Sequence, residues 1–330
     1  MAKTRVFTSD EALAGLQRTV HSKATNFYAM YSSVLGGIVT DPALMVLPLD
    51  DHMVHRGHAV FDTATLTHGM LYQLDPHLDR LIKSADGARI PLPFSRERLR
   101  QIILETAAAS RQREASVRYW LSAGPGGYGL GPAECVGSSF YVIIFKQEAY
   151  PESYYQEGIR LITSEVPIKP PLFARIKSTN YLPNVLVVLE AKDRGADNGV
   201  FIDQRGMVAE SSNMNVAFVT KDHMFCHPPF EAILSGITIQ RVLDFAQRLV
   251  QQGALSTIRL ADIAVEEGRD AAEMMLIGSS IKVAPVVEWD GQKIGDGKPG
   301  PITKKLLEMW NEDTRSAKDQ LVAVPYGEGI

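Results

Sequence analysis

The chain has 330 residues, of which 45% are hydrophobic and 22% charged, and its formal net charge at pH 7 is −4. This composition fits a globular protein with enough residues for two domains, and the lack of any block of like charges argues against a nucleic-acid partner. No apolar run approaches the roughly 18 residues of a membrane span. Cys135 and Cys226 lie far apart and outside any CxxC motif, which argues against a disulfide framework or a cysteine zinc site.

The N-terminal segment predicts a helix. Thr8 and Glu11 have the spacing of a capping box, in which each side chain accepts a hydrogen bond from the other residue's backbone N–H. An amphipathic pattern follows, and the first residues lack the apolar segment of a signal peptide. We therefore expect residues 1–25 to form a helical extension, and the protein to be cytoplasmic.

Residues 1–148 are predicted to form an N-terminal α+β domain. Short β-prone segments between about 45 and 75 indicate a small antiparallel sheet: ALMVLPL, AVFDTATLT and GMLYQL. Apolar residues three or four apart predict helices in PHLDRLIKSADGA and SRERLRQIILETAAAS. Two further strands, ASVRYWLSAG and SSFYVIIFKQ, flank the glycine-rich loop GPGGYGLGP.

Residues 149–158 are polar and aromatic and predict a connector to a second mixed domain over 159–330. There GIRLITSEV, NMNVAFVT and DAAEMMLIGSSIKVAPVVEWDGQKI predict strands. NVLVVLEAKDRGA and SGITIQRVLDFAQRLVQQG predict helices. The Gln-Arg-Gly turn in GVFIDQRGMVAE predicts a hairpin, and the elements follow no regular βαβ alternation.

Lys177 is the first candidate for chemistry, because it ends an apolar-rich segment just before a predicted helix. A lysine whose ammonium is partly desolvated becomes a free amine that attacks a carbonyl carbon. A solvated lysine beside a turn is the more common case by roughly ten to one. The residue alone therefore leaves both interpretations open.

Glu210 is the second candidate, at the end of a predicted strand in GMVAESSNMNVAFV. Such a carboxylate can accept a hydrogen bond from a ring nitrogen and keep that nitrogen protonated. The alternative is a strand-end glutamate in water, which is favoured by roughly two to one when the residue is considered alone.

Three further features suit a phosphate group. Ser235, Gly236, Ile237 and Thr238 stand at a predicted helix N-terminus, where backbone N–H groups and the helix dipole favour anions, although the same sequence is an ordinary N-cap. Ser279 and Ser280 form a hydroxyl pair after an apolar strand. Arg80 has the forked donors that bind phosphate, or it is an exposed helix charge.

Other motifs give weaker indications. Gly124 to Gly129 (GPGGYG) joins two predicted strands instead of opening a helix, so it is not a dinucleotide fingerprint. His52, His55 and His58 are close in sequence but have no HExxH or carboxylate–histidine pattern, and we predict no metal site. No GxSxG motif is present.

Taken together, these residues resemble the fold-type IV aminotransferases, which include D-amino acid and branched-chain aminotransferases and aminodeoxychorismate lyase. The similarity is greatest to the plant type of D-amino acid aminotransferase. It runs from about residue 50 to 310 through several long blocks: HMVHRGHAVFDTATLTHGMLYQLDPHLDRL, RYWLSAGPGGYG, IKPPLFARIKSTNYLPNVL, VAESSNMNVAFV, LSGIT, AAEMMLIGS and GDGKPGPITKKL.

The resemblance implies an α+β fold of two mixed α/β domains with pyridoxal 5'-phosphate in the cleft between them, and a homodimer. It implies that Lys177 is the catalytic Schiff-base lysine and that Glu210 is the partner of the pyridine nitrogen. Tyr181 is implied near the phenolic oxygen of the cofactor. The remaining implied cofactor ligands are those of the phosphate group: Arg80, Gly236, Ile237, Thr238, Ser279 and Ser280.

One departure from the family concerns the substrate. Bacterial D-alanine aminotransferases have an Arg-x-His pair for the substrate carboxylate in the loop that here reads GPGGYGLGP. Without that pair, the carboxylate is expected to contact backbone N–H groups, Tyr128 or Arg118, or the substrate is an amine without a carboxylate.

The resemblance therefore implies transamination between a D-amino acid and a 2-oxo acid. The alternatives are an aminodeoxychorismate lyase that releases pyruvate and 4-aminobenzoate, an (R)-selective amine transaminase, and a phosphate- or cofactor-binding module without enzymatic activity.

Overall fold

The computed structural model describes residues 4–18, 20 and 22–327, and the chain divides into two compact units. The first unit contains the chain up to Gln147 and the segment from Val322 onward, and the second contains Glu148–Leu321. The predicted range 159–330 differs from this division at its C-terminal end, because the last strand pairs within the first unit. Within the described residues, no helix has the length and apolar character needed to cross a membrane.

The first unit is built on a seven-stranded sheet with helices packed against it. Its strands are β1 (Phe27–Ser32), β2 (Gly37–Val39), β3 (Ala59–Thr67), β4 (Met70–Tyr72), β5 (Ala115–Ser122), β6 (Ser139–Phe145) and β16 (Leu321–Ala323), in the spatial order β16-β4-β3-β5-β6-β1-β2. Its helices are α1 (Ser9–Arg18), α2 (His52–Arg56), α3 (Leu74–Gly87) and α4 (Arg96–Ala109).

The alternation of β3 explains how this sheet forms its core. Val60, Asp62, Ala64 and Leu66 are buried, whereas the residues between them are only partly covered. Strands bury alternate side chains because successive side chains point to opposite faces. Asp62 therefore lies on the buried face of the sheet, against which helix α3 packs.

Two sequence predictions in this unit have different outcomes. The capping box at α1 is confirmed, since Thr8 N donates to Glu11 Oε2 (2.9 Å) and Glu11 N donates to Thr8 Oγ1 (3.3 Å). The strand predicted over ALMVLPL is wrong. Pro42–Leu44 forms a 3-10 turn that Asp41 caps by accepting from Ala43 N (3.0 Å), and no strand follows before α2.

The second unit is a nine-stranded sheet with helices around it. The strands are β7 (Ile159–Thr163), β8 (Asn198–Ile202), β9 (Val208–Ser211), β10 (Asn215–Val219), β11 (Met224–His227), β12 (Thr257–Leu260), β13 (Glu273–Gly278), β14 (Lys282–Trp289) and β15 (Gln292–Lys293). The helices are α5 (Ser153–Gln156), α6 (Pro171–Ala174), α7 (Leu182–Asp193), α8 (Ile237–Gln251), α9 (Val265–Arg269) and α10 (Pro301–Ser316).

The sheet of the second unit closes on itself at one point. The strand order is β12-β11-β10-β13-β14-β7-β8-β9, and β9 also pairs with β10 through Glu210 and Asn215. The hairpin predicted over 199–210 is confirmed as antiparallel β8 and β9. Large buried side chains from several strands, including Phe218 and Trp289, fill the interior. Closure therefore places Glu210 in the buried part of this unit.

Candidate functional site

Lys177 and Tyr181 lie next to each other in the second unit. Lys177 is in the short loop between α6 and α7, and Tyr181 is the N-cap residue of α7, before the proline-containing first turn. The Lys177 Nζ donates to the Tyr181 hydroxyl at 3.3 Å, and both side chains are partly covered. The amine predicted to carry chemistry is thus held beside a phenol and is not a fully solvated surface charge.

A second lysine, Lys169, belongs to the same cluster. Its Nζ lies 4.8 Å from the centroid of the Tyr181 ring, within the range of a cation–π contact. Lys169 was not predicted, since the segment IKPPLF has no periodicity that would indicate which way its lysine points. Only the folded path of the loop brings it against Tyr181.

Glu210 is a buried acid of this unit, with 7% of its surface exposed. Its Oε2 accepts a hydrogen bond from Leu234 N at 3.3 Å. Burial raises the pKa of Glu210 to about 7, against the opposing effects of Lys169, the Leu234 N–H and Lys177. The interpretation of Glu210 as a strand-end glutamate in water is therefore wrong, because its carboxyl group is buried. The positive charges of Lys169 and Lys177 act on it as well.

Gly236 precedes α8 at a position where an added side chain would require the Asn215 side chain to move. A Cβ atom there would lie 2.1 Å from Asn215 Oδ1, while the Asn215 Nδ2 donates to Leu234 O at 3.0 Å. The backbone angles of Gly236 are ordinary for a helix N-cap (φ −69°, ψ 135°), so the reason is steric and not conformational. Asn215 is thus a supporting residue that sequence reasoning missed.

The N-terminus of α8 has the features of an anion site. No side chain caps this 15-residue helix, and the first N–H groups of any helix have no partner within it. The Thr238 hydroxyl is 3.3 Å from the Ser279 hydroxyl, which lies in the turn between β13 and β14. Ser280 is exposed, so the structure brings Ser279, but not Ser280, to Thr238.

Arg80 lies in the first unit and is not an exposed helix charge. Its Nε donates to Asp62 Oδ2 and its Nη2 to Asp62 Oδ1, both at 2.8 Å. His77 Nδ1 is 2.8 Å from the same Asp62 Oδ1. Arg80 is therefore a fixed guanidinium group, which the sequence alone did not indicate.

The two predicted substrate residues, also in the first unit, have different surroundings. Arg118 donates through Nε to Thr63 Oγ1 (3.0 Å), and its guanidinium lies 5.5 Å from the ring centroids of both Phe61 and Phe145. Tyr128 is exposed, and its ring centroid is 5.0 Å from that of His55.

The histidine-rich segment supports the glycine-rich loop. Arg56 Nη2 donates to Tyr128 O (2.7 Å), and His52 Nε2 lies 3.3 Å from Gly129 O. Among the described residues, no group of three or more His, Cys, Asp or Glu side chains is arranged to hold a metal ion. His52 and Arg56 of α2 thus contact the loop backbone, and His55 contacts the Tyr128 ring.

Comparison with known proteins gives consistent results. The family model of amino-transferase class IV matches residues 59–289. The chain is 51% identical to the chloroplastic D-amino-acid transaminase of Arabidopsis thaliana, over 91% of this chain and 80% of that one. It is 28% identical to the D-alanine aminotransferase of Bacillus licheniformis, over 83% and 93% of the two chains.

The fold is also shared with solved structures. The branched-chain amino acid aminotransferase from Thermobaculum terrenum in its PLP-bound holo-form superposes with a TM-score of 0.78 at 21% identity, over 91% of this chain and 99% of that one. The branched-chain amino acid aminotransferase from Escherichia coli gives a TM-score of 0.79 at 22% identity, over 91% and 99% of the two chains.

Proposed function

The chain belongs to the amino-transferase class IV family, and we propose that it transfers the amino group of a D-amino acid to a 2-oxo acid with pyridoxal 5'-phosphate as cofactor. The observation that carries the proposal is the cluster of Lys177, Tyr181 and buried Glu210 in one unit. The similarity to D-amino-acid and D-alanine aminotransferases supports the choice of donor.

The residues of the second unit fit such a cofactor. Glu210 is a buried carboxyl whose pKa is raised to about 7, and a protonated ring nitrogen is the kind of partner that offsets the burial of a carboxylate. The uncapped N-terminus of α8, with Thr238 and Ser279 beside it, fits a phosphate group. Gly236 and Ile237 would contribute backbone, and exposed Ser280 remains a ligand by resemblance only.

When bound, the cofactor supplies an electron sink for the bonds at the substrate carbon. Lys177 Nζ is the amine that would bind the cofactor covalently and, once released, take up and return a proton at that carbon. The Tyr181 hydroxyl, 3.3 Å from Nζ, orients the amine. Glu210 would hold a proton on the ring nitrogen, because its carboxylate accepts a hydrogen bond most strongly from a charged donor.

Arg80, Arg118 and Tyr128 are assigned from the resemblance. Arg80 would bind the phosphate group, and its fixed guanidinium supports this role. Arg118 and Tyr128 remain predictions for the substrate carboxylate.

We also propose that the protein is a homodimer. Helix α7 is apolar on almost every side, yet several of its large side chains are exposed in the chain: Leu182, Val185, Leu186, Val188 and Leu189. A helix that is hydrophobic all round is normally buried. A second copy of the chain would bury this surface.

A donor panel tests the function. The protein loaded with pyridoxal 5'-phosphate is mixed with D-amino acids, L-amino acids or (R)-1-phenylethylamine, with a 2-oxo acid as acceptor, and the cofactor absorbance is followed. A separate reaction contains aminodeoxychorismate and no acceptor, and the release of pyruvate is measured. We expect bleaching and oxo-acid formation with D-amino acids. Preference for the amine, or pyruvate release from aminodeoxychorismate without an acceptor, would support the corresponding alternative instead.

A further inference from the structure

Asp62, His77 and Arg80 form a buried cluster in the first unit. Asp62 lies on the buried face of β3 with 0% exposure, and His77 is 2% exposed. His77 and Arg80 are three residues apart on α3, so they share one face of the helix. Both therefore reach the same carboxyl group across the contact between α3 and β3.

The carboxyl of Asp62 accepts four short hydrogen bonds. One comes from Thr63 N to Oδ1 at 2.7 Å. Two come from Arg80, to Oδ2 and Oδ1, and one comes from His77 Nδ1 to Oδ1, each at 2.8 Å. The last requires the tautomer with hydrogen on Nδ1. Burial alone would raise the pKa of Asp62, but Arg80 and His77 outweigh it and hold the pKa well below its usual range. Asp62 is therefore an anion at neutral pH.

This arrangement fixes the direction of the guanidinium of Arg80. A bidentate pair between a carboxylate and Nε and Nη2 sets the plane of the guanidinium as well as its distance. His77 in turn holds the carboxylate in place. The Arg80 side chain keeps 11% of its surface exposed, so the group is held rigidly without being sealed in the core.

We propose that Asp62 and His77 are positioning residues that aim the Arg80 guanidinium at the phosphate of the cofactor. The inference rests on the proposed function, in which Arg80 is a phosphate ligand. The inference states that the orientation of the Arg80 guanidinium matters more for phosphate binding than the net charge of the Asp62–Arg80 pair. The Asp62 carboxylate cancels the positive charge of Arg80, so its loss would tighten phosphate binding if charge alone mattered.

The test compares two ligands that differ by the phosphate group. Dissociation constants of pyridoxal 5'-phosphate and of pyridoxal are measured by absorbance and fluorescence on the full-length protein freed of cofactor. The quantity of interest is the dissociation constant of pyridoxal divided by that of pyridoxal 5'-phosphate, since a change in folding or in the ring site affects both ligands alike. This ratio falls when the phosphate contributes less to binding. The variants are Asp62→Asn, His77→Gln and Arg80→Met.

Asp75→Asn is the matched control. Asp75 is also an acid on α3, and its ion pairs are with Arg96 and Arg100. We expect Asp75→Asn to leave both constants unchanged.

We expect Asp62→Asn to weaken binding of pyridoxal 5'-phosphate at least tenfold and that of pyridoxal less than threefold. His77→Gln should reduce the ratio about threefold, which keeps the test informative if Asp62→Asn fails to fold. Tighter binding of the phosphorylated ligand in Asp62→Asn, equal losses for both ligands, or no change in either variant would overturn the inference.

Failure of the proposed function can be distinguished from failure of the positioning role. A wild-type protein that binds neither ligand contradicts the function itself. A ratio that collapses in Arg80→Met but is unchanged in Asp62→Asn contradicts only the positioning role.

Discussion

The carboxyl group of Glu210 makes the stability of the cofactor-free protein depend on pH. Its pKa in the folded protein is about 7, above the ordinary 4.5. Below about pH 4.5 the group is protonated in both the folded and unfolded states and costs nothing. As pH rises from there through 7, the unfolded chain ionises freely while the folded protein must ionise a buried acid, and a stability of about 3 kcal/mol is lost.

Replacing Glu210 by Gln should remove this dependence. We expect the cofactor-free Glu210→Gln protein to match the wild type near pH 4.5 and to melt at a higher temperature at pH 8, since the amide carries no charge to bury. Thermal unfolding of both proteins between pH 4.5 and 8.5 measures the difference. Parallel profiles would contradict the raised pKa.

Lys177 should be the point of covalent attachment. We expect Lys177→Ala to lose roughly 10³-fold or more of transaminase activity, because the proton-transferring amine is gone. It should also fail to retain pyridoxal 5'-phosphate after borohydride reduction and denaturation, as judged by mass spectrometry. Lys169→Ala is the matched control, with an amine beside the same Tyr181 ring, and should retain the label. Retention by Lys177→Ala with loss by Lys169→Ala would reassign the attachment.

At this scale the sequence identified candidates but not their surroundings. The lysine, the acid and the helix-end residues could be selected from residue type and local pattern together with the family resemblance. Lys169 and Asn215 could not. Lys169 has its role through the Tyr181 ring 4.8 Å away, and Asn215 through Leu234 and Gly236, which are about twenty residues further along the chain, and no local pattern encodes either contact. Ser279 rather than Ser280 faces Thr238 for a similar reason, since the turn geometry decides.

The start of helix α8 depends on the absence of a side chain at Gly236. We expect Gly236→Ala to weaken binding of pyridoxal 5'-phosphate at least tenfold, because the added Cβ would displace the Asn215 side chain, whose amide donates to Leu234 O just before the helix. Calorimetric titration of the cofactor-free variant measures this.

A matched control for that substitution is Gly15→Ala in α1. Gly15 has no atom within 4 Å of an added Cβ, and alanine favours a helix by about 1 kcal/mol over glycine. Cofactor affinity should be unchanged in the control. Unchanged affinity in Gly236→Ala as well would contradict the proposed phosphate site.

Helices and strands were predicted best where the apolar residues follow a single helical or strand periodicity. The alternation in AVFDTATLT and the helical spacing in SRERLRQIILETAAAS correspond to β3 and α4. ALMVLPL failed because β-prone side chains there are preceded by Pro42 and followed by Pro48, and Asp41 caps a turn instead. The closure of the second sheet through β9 and β10 is a long-range pairing that no single segment specifies.

Considered as a whole, the chain leaves an apolar surface on α7. If a second copy covers it, Leu186→Glu with Leu189→Glu should give monomers, because a charge cannot be buried unpaired in an interface. Sedimentation equilibrium at micromolar concentration measures the mass. Lys192→Glu, on the same helix at an exposed position, should remain dimeric. A monomeric wild type would contradict the homodimer.

The strand β16 has a consequence for how the chain is made. It joins the first sheet beside β4, yet more than a hundred residues of the second unit separate it from the other strands of that sheet. The contact continues beyond the strand, where Val324 N donates to Gly69 O at 3.2 Å and Arg113 stacks on Tyr326 at 5.0 Å.

The ribosome synthesises the chain from its N-terminus. The edge of β4 therefore stays unpaired until β16 has been synthesised. An open edge is a site for pairing with other chains. A messenger RNA truncated just before Leu321 would therefore encode every predicted cofactor residue, from Arg80 to Ser280. The protein made from it would still be prone to aggregate, because the edge of β4 would stay unpaired.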